Sequence, residues 1–332
     1  MGAFAPMTDG VVTLRAPAAG DAARLVGGRD EESRRWLGDG SAAPAPTACI
    51  VVDDTVVGWV DNDSDQPWLG PDEVNLGYML FPGARRHGYA IRSVALLLHH
   101  LALRTDVTTA MLLIDRDNER SLALAARAGF APLGDRDRNT LFARPVPPLR
   151  YSDGVVTMRR PEPEDLDADL GAKDEEQIMW LWLPGQREQW ERMSVDKQRE
   201  HARQGLAHRI TSFGTGPKWT FSVDAPPTRY VTYVDVDLAN PDVPRGEANI
   251  SYSTHPASRG QGFASRSVRL ALRFITDHTG AREAHIVVDE DNAPSRRVAA
   301  SVGARETDRF VNEQARTMVR YVVSIQRQPA TP

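Results

Sequence analysis

Apolar and polar positions follow two rhythms along the chain, and their order predicts strands interleaved with helices. VVTMRR, ending at Arg160, is a short extended run, and Pro163, Glu164 and Asp165 then open a helix whose acidic first turn suits the positive end of the helix dipole. β-Branched and aromatic residues dominate Trp219 to Val223 and Arg229 to Val236, which read as strands, and another strand ends at Tyr252 to His255. A glycine-bearing loop follows. Behind it, Val268, Ala271, Leu272 and Ile275 recur at i, i+3, i+4 and i+7, the spacing of one buried helix face. HIVV (285–288) reads as a strand, Ala293 to Val302 as a helix closed by Gly303, and Thr317 to Ile325 as the last strand.

The first half repeats this order, with strands at Ala48 to Val52 and Thr55 to Val60 and a helix face at Val94, Leu97, Leu98 and Leu101. The match extends to residue identity. DGVVTLRAPAAGD, Asp9 to Asp21, aligns without gaps on DGVVTMRRPEPED, Asp153 to Asp165, an offset of 144 that persists through Glu31, Glu32, Trp36 and Leu37 against Glu175, Glu176, Trp180 and Leu181. NLGYMLFPGARRHGYAIRSVALLL from Asn75 falls on NISYSTHPASRGQGFASRSVRLAL from Asn249 at an offset of 174. That register continues as Asp115, Asp117, Asn118, Ser121 and Gly129 meet Asp289, Asp291, Asn292, Ser295 and Gly303. Two copies of one α/β domain are therefore expected, at 9–146 and 153–325, each a mixed, mostly antiparallel sheet flanked by helices. The proline-rich stretch from Arg144 to Gly154 reads as a stiff linker. The thirty-residue difference in offset places an insertion between Leu181 and roughly Phe221, where Gln186 to Ile210 predicts an amphipathic helix with Ala202, Leu206 and Ile210 on one stripe. The first copy has GDGSAAPAPTA there instead and is one helix shorter.

Composition narrows the class. A length of 332 residues suits about two domains, and 41 % hydrophobic with 26 % charged residues suits soluble globular ones. A net charge of −5 gives no electrostatic case for nucleic acid. One cysteine, Cys49, excludes an intramolecular disulfide and a multi-cysteine zinc site and reads as a buried strand residue. MGAFAPMTDG lacks the basic and apolar regions of a leader, and no apolar run approaches the ~18 residues of a membrane span, so a cytoplasmic protein with no membrane partner is expected. His99 and His100 lie about 100° apart on a helix, a poor metal pair, and no metal is expected.

The chemistry concentrates in one loop. Arg259-Gly260-Gln261-Gly262-Phe263-Ala264 joins a strand to a helix, and Arg85-Arg86-His87-Gly88-Tyr89-Ala90 occupies the same place in the first copy. Unpaired backbone N–H groups at a helix N-terminus attract phosphate, and glycine lets the backbone approach it closely. The G-x-G-x-x-G dinucleotide pattern is absent, because Arg86 replaces its first glycine and Ile91 or Ser265 its third. The R-x-x-G-x-A loop after a strand ending in YST-H-P, followed by D-x-D-N-x-x-S and a helix closing on Gly303, resembles the GNAT superfamily of acyl-CoA N-acyltransferases, in particular its ribosomal-protein-alanine N-acetyltransferase branch. The resemblance spans both copies and implies two tandem GNAT-like domains using acetyl-CoA or another acyl-CoA. By that resemblance, the loop Arg259 to Ala264 holds the coenzyme A diphosphate, with Ser265 also cofactor-binding, Tyr252, Ser253, Thr254 and His255 line the pantetheine arm, Asn292 touches that arm, and Ser295 sits near the sulfur. The counterparts in the first copy are Arg85, His87, Gly88, Ala90, Asn118 and Ser121.

Acyl transfer to an amine by direct attack, through a tetrahedral intermediate, needs a deprotonated amine, an oxyanion site and a proton for the thiolate. Glu247, two residues before Asn249, is the first candidate base, and an exposed strand-end acid would look the same. Asp235, Asp237 and His201, which shares a helix face with His208, are the others; a solvated helix face also accounts for both histidines. Ser295 could protonate the thiolate or merely open the following helix. Positioning two reactants can be worth effective molarities of ~10⁵ to 10⁸ M against ~10² to 10⁴ for a general base, so the copy that keeps the extra helix is expected to catalyse. The expected acceptor is a small-molecule amine, with a peptide or protein N-terminus as the alternative and a non-catalytic acyl-CoA-binding sensor or scaffold as the rival from another class. Trp180, Trp182 and Trp190 could contact an acceptor or pack the core.

Overall fold

The computed structural model describes residues 4–104, 106–182 and 185–327. It divides into two compact units: the second comprises Leu149–Ile275 and Ala281–Ile325, and the first is made chiefly of the residues before Leu149. The first unit holds strands β1 (Met7–Thr8), β2 (Thr13–Arg15), β3 (Ala48–Val52), β4 (Thr55–Asp63), β5 (Glu73–Leu80), β6 (Thr109–Asp115), β7 (Ala131–Arg136) and β8 (Asn139–Pro145). Its helices are α1 (Asp21–Gly27), α2 (Glu31–Leu37), α3 (Tyr89–Ala102) and α4 (Glu119–Arg127). The sheet order is β1-β2-β3-β4-β5-β6-β8-β7, and only the β5–β6 pair is parallel.

The second unit repeats this plan with β9 (Tyr151–Ser152), β10 (Thr157–Arg159), β11 (Lys218–Ala225), β12 (Thr228–Asp237), β13 (Ala248–Thr254), β14 (Glu283–Asp289), β15 (Arg305–Val311) and β16 (Thr317–Ser324). Its helices are α5 (Leu166–Gly171), α6 (Glu175–Leu181), α7 (Gln186–Glu191), α8 (Val195–Ser212), α9 (Phe263–His278) and α10 (Ala293–Ser301). Read from β9, the order is β9-β10-β11-β12-β13-β14-β16-β15, again with one parallel pair, β13–β14. Both sheets are thus the mixed, mostly antiparallel kind expected.

Burial follows the helix-face pattern. Val94, Leu97, Leu98 and Leu101 are fully buried, as are Val268, Ala271 and Ile275. Leu272 is only half-buried, and Phe274, absent from the predicted stripe, is buried in its place against Trp219 and Phe221 at ring distances of 5.6 and 4.7 Å. The predicted helix from Gln186 to Ile210 is two helices. Ser194 interrupts it, its extended backbone and side-chain oxygen capping the Lys197 N–H at the start of α8. Asp165 does not open an α-helix directly: Pro163–Asp165 is a 3₁₀ turn feeding α5.

Candidate active site

The parallel strands part before the glycine-bearing loop begins. β13 and β14 pair only at Ala248 with Ala284 and at Asn249 with His285, although they run on to Thr254 and Asp289. A cavity of about 600 Å³ occupies the resulting fork. Its walls include Tyr252, Ser253 and Thr254 from β13, Ile286 to Asp289 from β14, and Arg259, Gly260, Gly262, Phe263, Ala264 and Ser265 from the loop and the first turn of α9. Asn292 and Ser295, at the start of α10, complete the set. Of the residues assigned to this site from sequence, His255 and Gln261 lie off the wall. The His255 ring accepts the Ala257 N–H, and the Gln261 amide donates to the Ala257 carbonyl.

Gly260 and Gly262 stand at φ +74° and +77°, the left-handed region that glycine enters without a steric penalty. A Cβ at Gly262 would meet nothing within 4 Å, so the space above it is open. The first N–H groups of α9 have no acceptor within their own helix. The Arg259 side chain does a different job from the one expected. Its guanidinium grips Asp174 at 2.6 and 2.8 Å and Glu176 at 2.8 Å, pinning the loop to the cap of α6. Arg297, which sequence reasoning missed, is an exposed wall residue on α10 with no ion pair among the described residues. No pattern in the sequence separates it from its neighbour Arg296.

At the fork, the Tyr252 phenol lies 2.8 Å from the Ser295 hydroxyl and 3.2 Å from the Ser295 carbonyl. Burial raises the Tyr252 phenol to about 12, which keeps it protonated at neutral pH. Asn292 is the cap of α10: its side-chain oxygen accepts the Ser295 N–H at 3.1 Å. Glu247, the first candidate base, does not line this cavity. It precedes β13, and one carboxylate oxygen accepts the N–H groups of Arg282 and Glu283 at 2.7 Å each, fastening the entry to β14.

A second cavity, of about 690 Å³, adjoins the first, and Gln177 of α6 lines both. His201 and His208 of α8, both exposed, line it, as do Asp235 and Trp182; Asp237 does not. Trp190 packs edge-on against Trp182 at 5.5 Å and His201 at 6.2 Å, while Trp180 walls the first cavity beneath Arg316. Cys49 is fully buried on β3, and burial raises its thiol to about 11.

The acetyltransferase (GNAT) domain model matches residues 12–131 and again 156–305, most of the chain. The chain belongs to the GNAT acetyltransferase family. Solved structures similar to part of this GNAT chain include an acetyltransferase from Bacillus anthracis (15 % identity over 53 % of this chain and 98 % of that one, TM-score 0.42). RimJ of Mycobacterium smegmatis in complex with CoA-disulfide matches at 19 % over 52 % and 82 % (TM-score 0.40). The ribosomal L7/L12 alpha-N-protein acetyltransferase RimL in complex with coenzyme A matches at 16 % over 52 % and 96 % (TM-score 0.43). No curated protein matches the sequence.

The two GNAT domains differ at the fork. Arg85 repeats the clamp, gripping Asp30 at 2.7 and 2.8 Å and Glu32 at 2.7 Å, and Asn118 caps α4 through the Ser121 N–H. In this domain, however, Arg120 of α4 reaches Glu32 of α2 at 2.7 and 2.8 Å, tying the two helices together. The counterpart of Arg120 is Pro294, which lines the open fork of the second domain beside Glu176. Arg86, at φ +68°, takes the left-handed position that Gly260 fills. Gly88 keeps the left-handed cap of α3, His87 stacks on Tyr89 at 5.4 Å, and Ala90 lies in the first turn of α3.

Proposed function

We propose that the C-terminal domain, residues 153–325, transfers an acetyl or longer acyl group from coenzyme A to a primary amine of a small molecule, and that the N-terminal domain, residues 9–146, does not catalyse. The observation that carries this reading is the pair of adjoining cavities in the second domain, one forked between β13 and β14 and the other walled by α8, which meet at Gln177. The first domain has no helix between α2 and β3 among its described residues, and Arg120 ties α4 to α2.

The residues present fit an acyl-CoA. Open space over Gly262, unengaged N–H groups at the start of a sixteen-residue helix and the free guanidinium of Arg297 suit the phosphate groups, and the edge of β13 that β14 leaves beyond Asn249 suits an amide-bearing arm. Bound acyl-CoA would supply an activated acyl carbon and a thiolate leaving group: a C–N bond forms, the C–S bond breaks with its electron pair going to sulfur, and the proton the nitrogen loses is balanced by the one sulfur gains. Tyr252 and Ser295, hydrogen-bonded to each other in the fork, deliver a proton there. His201, which reaches the second cavity where Glu247 does not, is the base on the acceptor side. A base at that point is worth ~10² to 10⁴-fold, so His201→Ala lowers kcat by a factor in that range without abolishing turnover.

Thiol release from acetyl-CoA, followed with a panel of small amines and of peptides with free N-termini, tests the reading. Turnover with small amines supports it. Turnover with peptides alone moves the acceptor to the protein N-terminus class, and binding of acetyl-CoA without turnover on any amine identifies a sensor.

A further inference from the structure

The wall of the second cavity carries more positive than negative charge. Asp169, almost fully buried on α5, is shared by two cations: Lys173 Nζ at 2.6 Å and Arg209 Nη2 at 2.9 Å, whose side chains are 16 % and 24 % exposed. The Tyr230 hydroxyl also donates to Asp169, at 2.8 Å, so this carboxylate is saturated. The other carboxylate on the wall, Asp235, is taken up by Lys218 at 2.8 Å and Thr220 at 2.6 Å. Three cations, the third of them the half-exposed Lys218, thus face two carboxylates on this wall. Two polar atoms are buried with no hydrogen-bond partner: Nε of Arg209, a donor, and Oε1 of Gln177, an acceptor. A cation left uncompensated in a poorly solvated site is costly, and so is a buried donor with nothing to donate to.

We propose that the missing partner is the ligand: the acceptor is an amine that also carries an oxyanion, a carboxylate or a phosphate group, held by Arg209 and Lys173. This rests on the acyltransfer reading and specifies its acceptor class. The oxyanion offsets the excess charge beside Asp169, and Gln177, on the wall common to both cavities, lies between it and the fork where Tyr252 and Ser295 stand. A planar guanidinium is well matched to either oxyanion.

Three amines of equal chain length distinguish the possibilities: propylamine, β-alanine and 2-aminoethylphosphonate, each assayed with acetyl-CoA and the full chain. At least one of the anionic amines should exceed propylamine tenfold or more in kcat/KM, mainly through KM, and which of the two does so separates carboxylate from phosphate. Arg209→Met should shrink that ratio by an order of magnitude and Arg209→Lys should restore part of it. A ratio within one variant is unaffected by the fraction of protein that folds. A propylamine kcat/KM equal to or above both anionic amines, or a ratio indifferent to Arg209→Met, overturns the proposal. If none of the three is acetylated, the small-molecule acceptor reading fails instead. Calorimetric titration of the same three compounds into the protein with coenzyme A present then decides the charge preference by itself: tighter binding of an anionic amine upholds it, and equal or weaker binding refutes it.

Discussion

Arg159 and Asp165 show how much of this molecule depends on paired charges whose role depends on their burial. Asp165 has no exposed surface; Arg159 holds both its oxygens, at 2.8 and 2.9 Å, and Ser222 and the Glu162 N–H add two more bonds. Burial alone would raise its carboxyl, but these donors outweigh that and hold it at about 2. The folded state therefore binds this proton more weakly than the unfolded chain. Its contribution is complete above the ordinary aspartate value of 3.8 and is lost as the pH falls through about 2. Asp165→Ala should cost about 1–3 kcal/mol at neutral pH in urea unfolding, because Arg159 keeps only Asp224 while the buried Ser222 hydroxyl and the Glu162 N–H lose their acceptor, and should flatten the acid limb of the stability profile. Arg86 offers a change of opposite sign. With φ in the left-handed region, Arg86→Gly should stabilise the first domain by about 1 kcal/mol in the same measurement. Sequence spacing located Gly262, Tyr252, Asn292 and Ser295 at the fork because the motif recurs in fixed register. It could not foresee that Arg259 and Arg85 spend their charge on acidic helix caps, since an arginine beside a glycine-bearing loop reads the same whether it meets a ligand or a neighbouring carboxylate. For the same reason Arg297 was invisible. Arg297→Ala should raise KM for acetyl-CoA about fivefold or more with little change in kcat, the signature of lost ground-state binding.

Among the elements, those with a buried face were legible and those without one were not. The stripe on α3 and the apolar runs of β3, β11 and β12 announced themselves because burial imposes a period. β15, in which only Phe310 is partly buried, and β7, exposed after Ala131, carry no such period and were missed as edge strands. α8 is the instructive intermediate case. Ala202 and Leu206 are buried as the stripe predicted, yet most of the helix faces outward, so its pattern fixed its existence and not its start at Ser194. Leu206→Ala removes one of its two anchors. It should destabilise the domain by about 2–5 kcal/mol and raise KM for the amine more than for acetyl-CoA, because α8 walls the second cavity and not the fork.

For the whole chain, two GNAT domains with the same strand order present one fork walled by an open loop and one whose flanking helices are joined through Arg120 and Glu32. On the proposed reading one acyl-CoA site per chain is expected, in the second domain. Calorimetric titration of the full chain with coenzyme A tests this most directly, using Gly262→Val and Gly88→Val, two equivalent changes at left-handed glycines, with thermal melting to confirm that each folds. One site per chain, lost in Gly262→Val and kept in Gly88→Val, is the predicted result. Two sites, or a single site abolished by Gly88→Val and indifferent to Gly262→Val, would contradict it.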